Sequence, residues 1–225
     1  MYSKTDYQAK DDSYFQHARE EMLQFIPKDA ANILEVGCGD GSFGAYVKKN
    51  IPCTYFGIEP DGRFIQSAIE KLDQFDNSLF TAESKLPHNH FDCIVFNDVL
   101  EHLAEPQATL INCKAFLKEN GVIVSSIPNI RHAPYLYRLF YLGEFQYENS
   151  GIMDKTHLRF FTKKSIKKMY QSLGFEVIQH VGINESLSPK FKFLVGILNL
   201  VTYNKFEDTK YQQYATVARK VNDKY

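Results

Sequence analysis

The segment Ile33 to Gly44, ILEVGCGDGSFG, is an apolar run interrupted by Glu35 and followed by Gly37, Gly39, Gly41 and Gly44. A glycine-rich turn at a strand end lets a ligand approach the backbone closely. Gly39, Gly41 and Gly44 have the G-x-G-x-x-G spacing of a dinucleotide site, so the neighbouring side chains must decide which ligand is meant. A pyrophosphate site favours N–H groups and avoids carboxylates. This loop carries two carboxylates, Glu35 and Asp40, and no Lys or Arg occurs from Ala31 through Val47. The same absence excludes a P-loop, which needs G-K-[ST]. Glu59 ends the next apolar run, where an acidic side chain in nucleotide-binding α/β folds hydrogen-bonds a ribose diol. These residues describe a ligand with a ribose and a cationic group but no phosphates, and S-adenosylmethionine meets that description.

A second set of residues has the types needed for acid–base work. In GIMDKTHLRFFT (residues 151–162), Asp154 and His157 are three apart and share a face if the turn is helical. A carboxylate beside an imidazole selects its tautomer and raises its basicity, and Arg159 suits a carboxylate or phosphate on a substrate. The pair reads equally as a base and as the anchor of a lid. In IPNIRH (residues 127–132), His132 is a second candidate base, with Asn129 and Arg131 as substrate contacts. In DVLEHL, Asp98, Glu101 and His102 fall at i, i+3 and i+4, which puts them on one helical face.

The elements that must position these groups alternate. Residues 32–36, 53–59, 78–82, 91–97 and 121–127 read as strands, and residues 43–50, 62–73 and 105–118 as helices, with Asp61 as the N-cap of the second. A further helix is expected at 12–26, closed by Pro27. Strands apolar on both faces and separated by helices imply a parallel sheet covered on both sides, with its ligand crevice at the carboxyl ends of the strands. After Pro128 come an aromatic stretch, a helix at 163–173 capped by Thr162, a strand at 175–183, an apolar helix at 191–203 and a strand at 211–221.

LEVGCGDGSFG resembles the E/D-x-G-x-G-x-G signature of the class I S-adenosylmethionine-dependent methyltransferases, with Glu35, Gly37, Gly39 and Gly41 in its places. The similarity extends to Glu59, FDCIVFNDVLEHL and GVIVSSIPN. It implies a Rossmann-like α/β/α fold with a seven-stranded sheet, mostly parallel, its last strand antiparallel. It implies that the backbone of Gly37, Cys38, Gly39 and Gly41 surrounds the methionine part of the donor, with Glu35 serving its ammonium. Glu59 then binds the ribose, and Asn97 and Asp98 lie by the sulfonium and methionine end. The family often reads G-D-A-E-x-L-P after its third strand, with Asp on the adenine; here the stretch is TAESKLP, Ala82 stands at that position, and Glu83 or backbone must substitute. Asp98, Glu101 and His102 resemble the metal-binding set of ubiquinone-type O-methyltransferases, but the same motif is common without metal, and no metal ligand is assigned. The D-x-T-H-x-R-F-F stretch is similar to one in O-methyltransferases of bacterial glycan pathways, which implies a hydroxyl acceptor on a small molecule or glycan. An N- or C-methyltransferase, an NAD(P)-dependent oxidoreductase and a non-catalytic donor-binding protein are the alternatives.

Length and composition fit one domain, 1–225, with lid or acceptor-pocket insertions near 129–160 and 184–205. The formal net charge of −1 supplies no global field for nucleic acid. The basic group Arg159, Lys163, Lys164, Lys167 and Lys168 reads as a solvated face. Cys38, Cys53, Cys93 and Cys113 form no C-x-x-C, which suits reduced thiols in a cytoplasmic protein. No run is long enough for stable membrane insertion, and a monomer and a homodimer are equally compatible with the sequence.

Overall fold

A computed structural model describes residues 19–221. The strands are β1 (Asn32–Val36), β2 (Thr54–Ile58), β3 (Gln74–Asp76), β4 (Phe91–Asn97), β5 (Leu117–Pro128), β6 (Phe175–Glu185) and β7 (Tyr211–Lys220). They form one sheet in the order β3-β2-β1-β4-β5-β7-β6. The pairs among β1 to β5 are parallel, and β7 runs antiparallel to both β5 and β6. This is the Rossmann-like mixed sheet with its last strand inverted that the family resemblance implies. The helices are α1 (Ser42–Asn50), α2 (Ile65–Lys71), α3 (Pro106–Phe116), α4 (Ala133–Tyr137), α5 (Lys163–Ser172) and α6 (Pro189–Thr202).

Alternation along the central strands divides the apolar side chains between two faces. Leu34, Ile94 and Phe96 pack with Leu110, Phe116 and Tyr170 of α3 and α5. Ile33, Cys93 and Val95 pack with Phe43 and Val47 of α1 and with Met22 and Phe25. Glu35 shares the second face, which is why a carboxylate comes to lie under the glycine loop.

Several boundaries differ from the sequence-based expectation. The third strand is Gln74–Asp76, not 78–82. The chain turns back into the sheet as soon as α2 ends, because Leu72 is buried there and Phe56, Gly57 and Ile58 pair with the three residues of β3. Leu79 is 67% exposed, so residues 78–82 do not supply a buried strand. The helix expected at 62–73 is a 3₁₀ turn at Gly62–Phe64 followed by α2, with Asp61 accepting from the Arg63 amide as foreseen. β5 begins at Leu117, so α3 is shorter than expected. Of the helix expected at 12–26, residues 12–18 lie outside the described residues, and Glu20–Phe25 form a 3₁₀ helix.

Two glycines of the loop have distinct roles. Gly37 has φ +76°, and a Cβ there would sit 2.5 Å from Val99 Cγ2. Gly44 lies inside α1, where a Cβ would meet Leu72 at 2.4 Å and the Tyr55 ring at 2.6 Å, so it allows close helix–sheet packing. Gly37→Ala should cost roughly 2–4 kcal/mol from positive φ plus overlap, a fall in Tm of roughly 5–15 °C. Adding Val99→Ala should recover the overlap part only, leaving the backbone penalty. A Gly37→Ala chain melting like the parent would show that the loop can shift.

Candidate active site

A cavity of about 560 Å³ opens at the carboxyl ends of β1, β4 and β5. Of the residues expected at the donor, Glu35, Gly37, Cys38, Gly39, Asn97 and Asp98 line it, together with His132 and His157 from the acceptor side. The fold therefore brings the glycine loop and three imidazoles, those of His102, His132 and His157, to one space.

Glu35 is almost fully buried. Its Oε2 accepts from the Tyr55 hydroxyl at 3.1 Å and its Oε1 from Asn97 Nδ2 at 3.0 Å. Burial pushes its pKa up to about 8; the two hydrogen bonds oppose the rise, and the negative charges of Asp40 and Glu59 add to it. Asn97 Oδ1 is buried and has no hydrogen-bond partner. A carboxyl reluctant to ionise and an unpartnered amide oxygen are acceptors suited to an ammonium group.

Glu59 is also buried, and burial raises its pKa. Its Oε2 accepts from the Gly39 amide at 3.1 Å and its Oε1 from the Asp61 amide at 2.9 Å. It thus ties the glycine loop to the turn after β2, and each carboxylate oxygen keeps capacity for a further donor. Gly41 ends the loop as the N-cap of α1. Glu83 lies in an exposed turn, and Glu59, Gly41 and Glu83 are not among the cavity lining.

Asp98 is held in the left-handed region, φ +54°. Its Oδ1 accepts from Ser126 Oγ at 3.0 Å and from Gln213 Nε2 at 2.8 Å, and Oδ2 pairs with the Arg19 guanidinium. The following residues, Leu100–His102, form a 3₁₀ turn. Asp98 therefore does not share an α-helical face with Glu101 and His102, because the left-handed residue breaks the helix before it starts. His157 takes its place: one oxygen of Glu101 and one ring nitrogen each of His102 and His157 lie within 4.8 Å of one another, all buried. The backbone explains the approach, since the Glu101 carbonyl accepts from both the Leu158 and the Arg159 amides.

Of the three lining histidines, His157 and His132 each bond a carbonyl, which only accepts, so in the neutral ring their tautomers are assignable. His157 Nδ1–H donates to the Ile152 carbonyl at 3.0 Å, which leaves the lone pair on Nε2, 3.9 Å from Glu101 Oε1. His132 Nε2–H donates to the Ser186 carbonyl at 3.2 Å; its Nδ1 is buried without a partner, and burial lowers its pKa.

The remaining acceptor-side candidates make their contacts outside the cavity lining. Asp154 Oδ1 accepts from the Thr156 amide and hydroxyl at 2.8 and 2.7 Å, shaping a turn, not a helix, ahead of His157. Asn129 is fully buried and donates to the carbonyls of Asp208 and Tyr211. Arg131 pairs with Asp208 and donates to the Lys205 carbonyl, and Arg159 donates to the Ala104 carbonyl. Asp154, Asn129, Arg131 and Arg159 are outside the cavity lining. Arg19, Tyr135, Arg138 and Gln213 line it, and nothing in their local spacing marks them.

A family model described as a methyltransferase domain matches residues 7–180. The chain belongs to that family, the class I S-adenosylmethionine-dependent methyltransferases. It is 26% identical over 173 residues to a ubiquinone biosynthesis O-methyltransferase of Dinoroseobacter shibae, covering 70% of this chain and 64% of the relative. It is 30% identical over 115 residues to an uncharacterized methyltransferase of Schizosaccharomyces pombe, covering 45% of this chain and 41% of the relative. The matches thus span between two fifths and two thirds of those relatives' lengths. Among solved structures, a SAM dependent methyltransferase from Archaeoglobus fulgidus superposes with a TM-score of 0.62 at 20% identity, over 93% of this chain and 95% of the other, a likeness of fold.

Proposed function

We propose that the protein transfers the methyl group of S-adenosylmethionine to a hydroxyl of a small molecule or glycan. The carrying observation is the single cavity that joins the acceptors Glu35 and Asn97 to the imidazoles of His157 and His132. Glu35 and Asn97 hold the donor's ammonium, the Gly37–Gly39 backbone encloses its methionine chain, and Glu59 takes the ribose hydroxyls beside the amides it already holds. Bound there, S-adenosylmethionine supplies a sulfonium methyl that is already a good electrophile. The chain must align the acceptor and remove its proton. His157 does so at Nε2, with its tautomer set by Ile152 and the resulting imidazolium stabilised by Glu101. Tyr135, Arg138 and Gln213 give the acceptor end of the cavity the hydrogen-bonding groups a polyhydroxyl ligand requires.

His132 is a second reading for the base, favoured by its buried and unpartnered Nδ1. Asn129, Arg131, Arg159 and Asp154 serve in either case by fixing the walls in which the two histidines sit.

S-adenosylmethionine or S-adenosylhomocysteine should raise Tm by mass action, and NAD should not. Stabilisation by NAD alone would overturn the donor assignment. Glu59→Ala should weaken donor binding by roughly 1–3 kcal/mol, the cost of buried hydroxyls left unpaired. A calorimetric dissociation constant equal to the parent's would show that the ribose lies elsewhere.

A further inference from the structure

We infer that the face formed by α6 and the turn after α4 docks on an anionic lipid surface. α6 carries Lys190 and Lys192 in its first turn and beyond them is apolar on both its inward and outward sides. Its inward stripe, Phe191, Val195, Leu198 and Asn199, covers the domain, while Phe193, Leu194, Ile197, Leu200 and Val201 form an outward stripe at helical spacing. Leu200 is 83% exposed and Phe193 72%. A surface helix of a globular domain ordinarily turns polar residues outward, and a contiguous exposed apolar patch marks something that covers it.

The neighbouring π-turn Arg138–Leu142 extends the patch, with Phe140 81% and Tyr141 75% exposed. The two parts are joined through Tyr137, which stacks on Tyr141 at 5.0 Å and meets the Phe191 ring edge-on at 5.7 Å.

Charge selects the occupant. Residues 186–205 contain Lys190, Lys192 and Lys205 and no Asp or Glu, so the apolar stripe is flanked by cations at both ends. Of the carboxylates that border the patch, Glu185 pairs with Lys192 and Glu207 with Lys210, while Glu144 and Glu148 share Arg138; Lys190 and Lys205 add cations at the two ends of the stripe. Aromatic and aliphatic groups between lysines are the composition of helices that lie in the headgroup region of anionic bilayers. No helix among the described residues is long and apolar enough to cross a membrane, so the contact is peripheral. Arg138 of the π-turn also lines the candidate active-site cavity, so the docking face adjoins it.

The test is co-sedimentation of the full chain with phosphatidylcholine–phosphatidylglycerol vesicles against vesicles of phosphatidylcholine alone. The chain should pellet with the mixed vesicles and more weakly with the neutral ones, and added salt should release it. The double variant F140E/L200E should bind at least about tenfold more weakly with an unchanged Tm, since both side chains face solvent. K190Q/K192Q should lose the preference for phosphatidylglycerol and keep the weaker binding. A parent chain that stays in the supernatant overturns the inference. In that case light scattering would show whether a second copy covers the face, as a dimer that F140E/L200E dissociates. Equal pelleting of parent and F140E/L200E overturns it as well.

Discussion

His157→Ala should lower turnover about 10²–10⁴-fold while the donor dissociation constant stays near that of the parent. The expectation rests on two contacts. The Ile152 carbonyl can only accept, so it keeps the proton of the neutral ring on Nδ1 and leaves Nε2 basic toward the cavity. Glu101, at 3.9 Å, then stabilises the imidazolium formed when the acceptor hydroxyl is deprotonated. Glu101→Gln should reproduce part of the loss and move the acidic limb of the kcat profile downward, because a neutral neighbour no longer supports the protonated ring. The measurement is single-turnover methyl transfer against a panel of sugar, nucleotide-sugar, phenol and amine acceptors. Near-normal turnover in His157→Ala, with the loss appearing in His132→Ala, would move the base to His132 Nδ1. Near-normal turnover in both would remove the imidazoles from the chemistry.

Donor binding should release a proton at neutral pH, and Glu35→Gln should abolish that release. In the unliganded protein Glu35 titrates near 8, above its ordinary 4.5, chiefly through burial. An ammonium brought against it favours the carboxylate, so binding below pH 8 must expel the proton. Affinity should therefore rise with pH up to about 7.5, beyond which α-amino groups themselves begin to titrate, near ~7.7–8.0. Glu35→Gln should weaken binding by about 2–5 kcal/mol, the cost of losing one partner of a buried charge pair. Calorimetry in buffers of different ionisation enthalpy reads the proton directly, and the same binding heat in every buffer would contradict the assignment.

The same shift has a consequence for the unliganded fold. A carboxyl whose folded pKa lies above its unfolded value binds its proton more tightly when folded. Its contribution to stability is therefore present below about 4.5 and declines as pH rises toward about 8. Saturating donor should flatten that decline, which a Tm profile against pH with and without S-adenosylhomocysteine will show.

The residues proposed for the donor were legible in the sequence because they are local. Glu35, Gly37, Cys38 and Gly39 lie close together along one strand–turn unit, and only a parallel sheet gives such a turn its meaning. Glu59 was proposed for a similar reason, since an acidic residue at the end of β2 lies one strand from the loop, although it does not line the cavity. The sheet itself followed from strands apolar on both faces. The third strand was misplaced because three residues, only partly buried, carry almost no periodic signal, whereas SLFTA resembles a strand but leaves Leu79 in solvent.

The residues proposed for the acceptor depended on contacts between residues far apart in the chain. Spacing suggested Asp154 as the carboxylate for His157 and Asp98 as a companion of Glu101. In the fold Asp154 shapes the turn through Thr156, and Glu101 is brought to His157 by backbone bonds from Leu158 and Arg159. Asp98 instead pairs with Arg19 and with Gln213, 115 residues away. The chain determined by itself the central parallel strands and the glycine turn, because each is written in a short run of neighbours, whereas the charge in the turn was completed by Lys71, which the fold brings to Asp40. Which carboxylate meets which imidazole was decided only by tertiary structure, because the left-handed Asp98 and the backbone bonds from Leu158 and Arg159 to Glu101, not sequence spacing, set those distances.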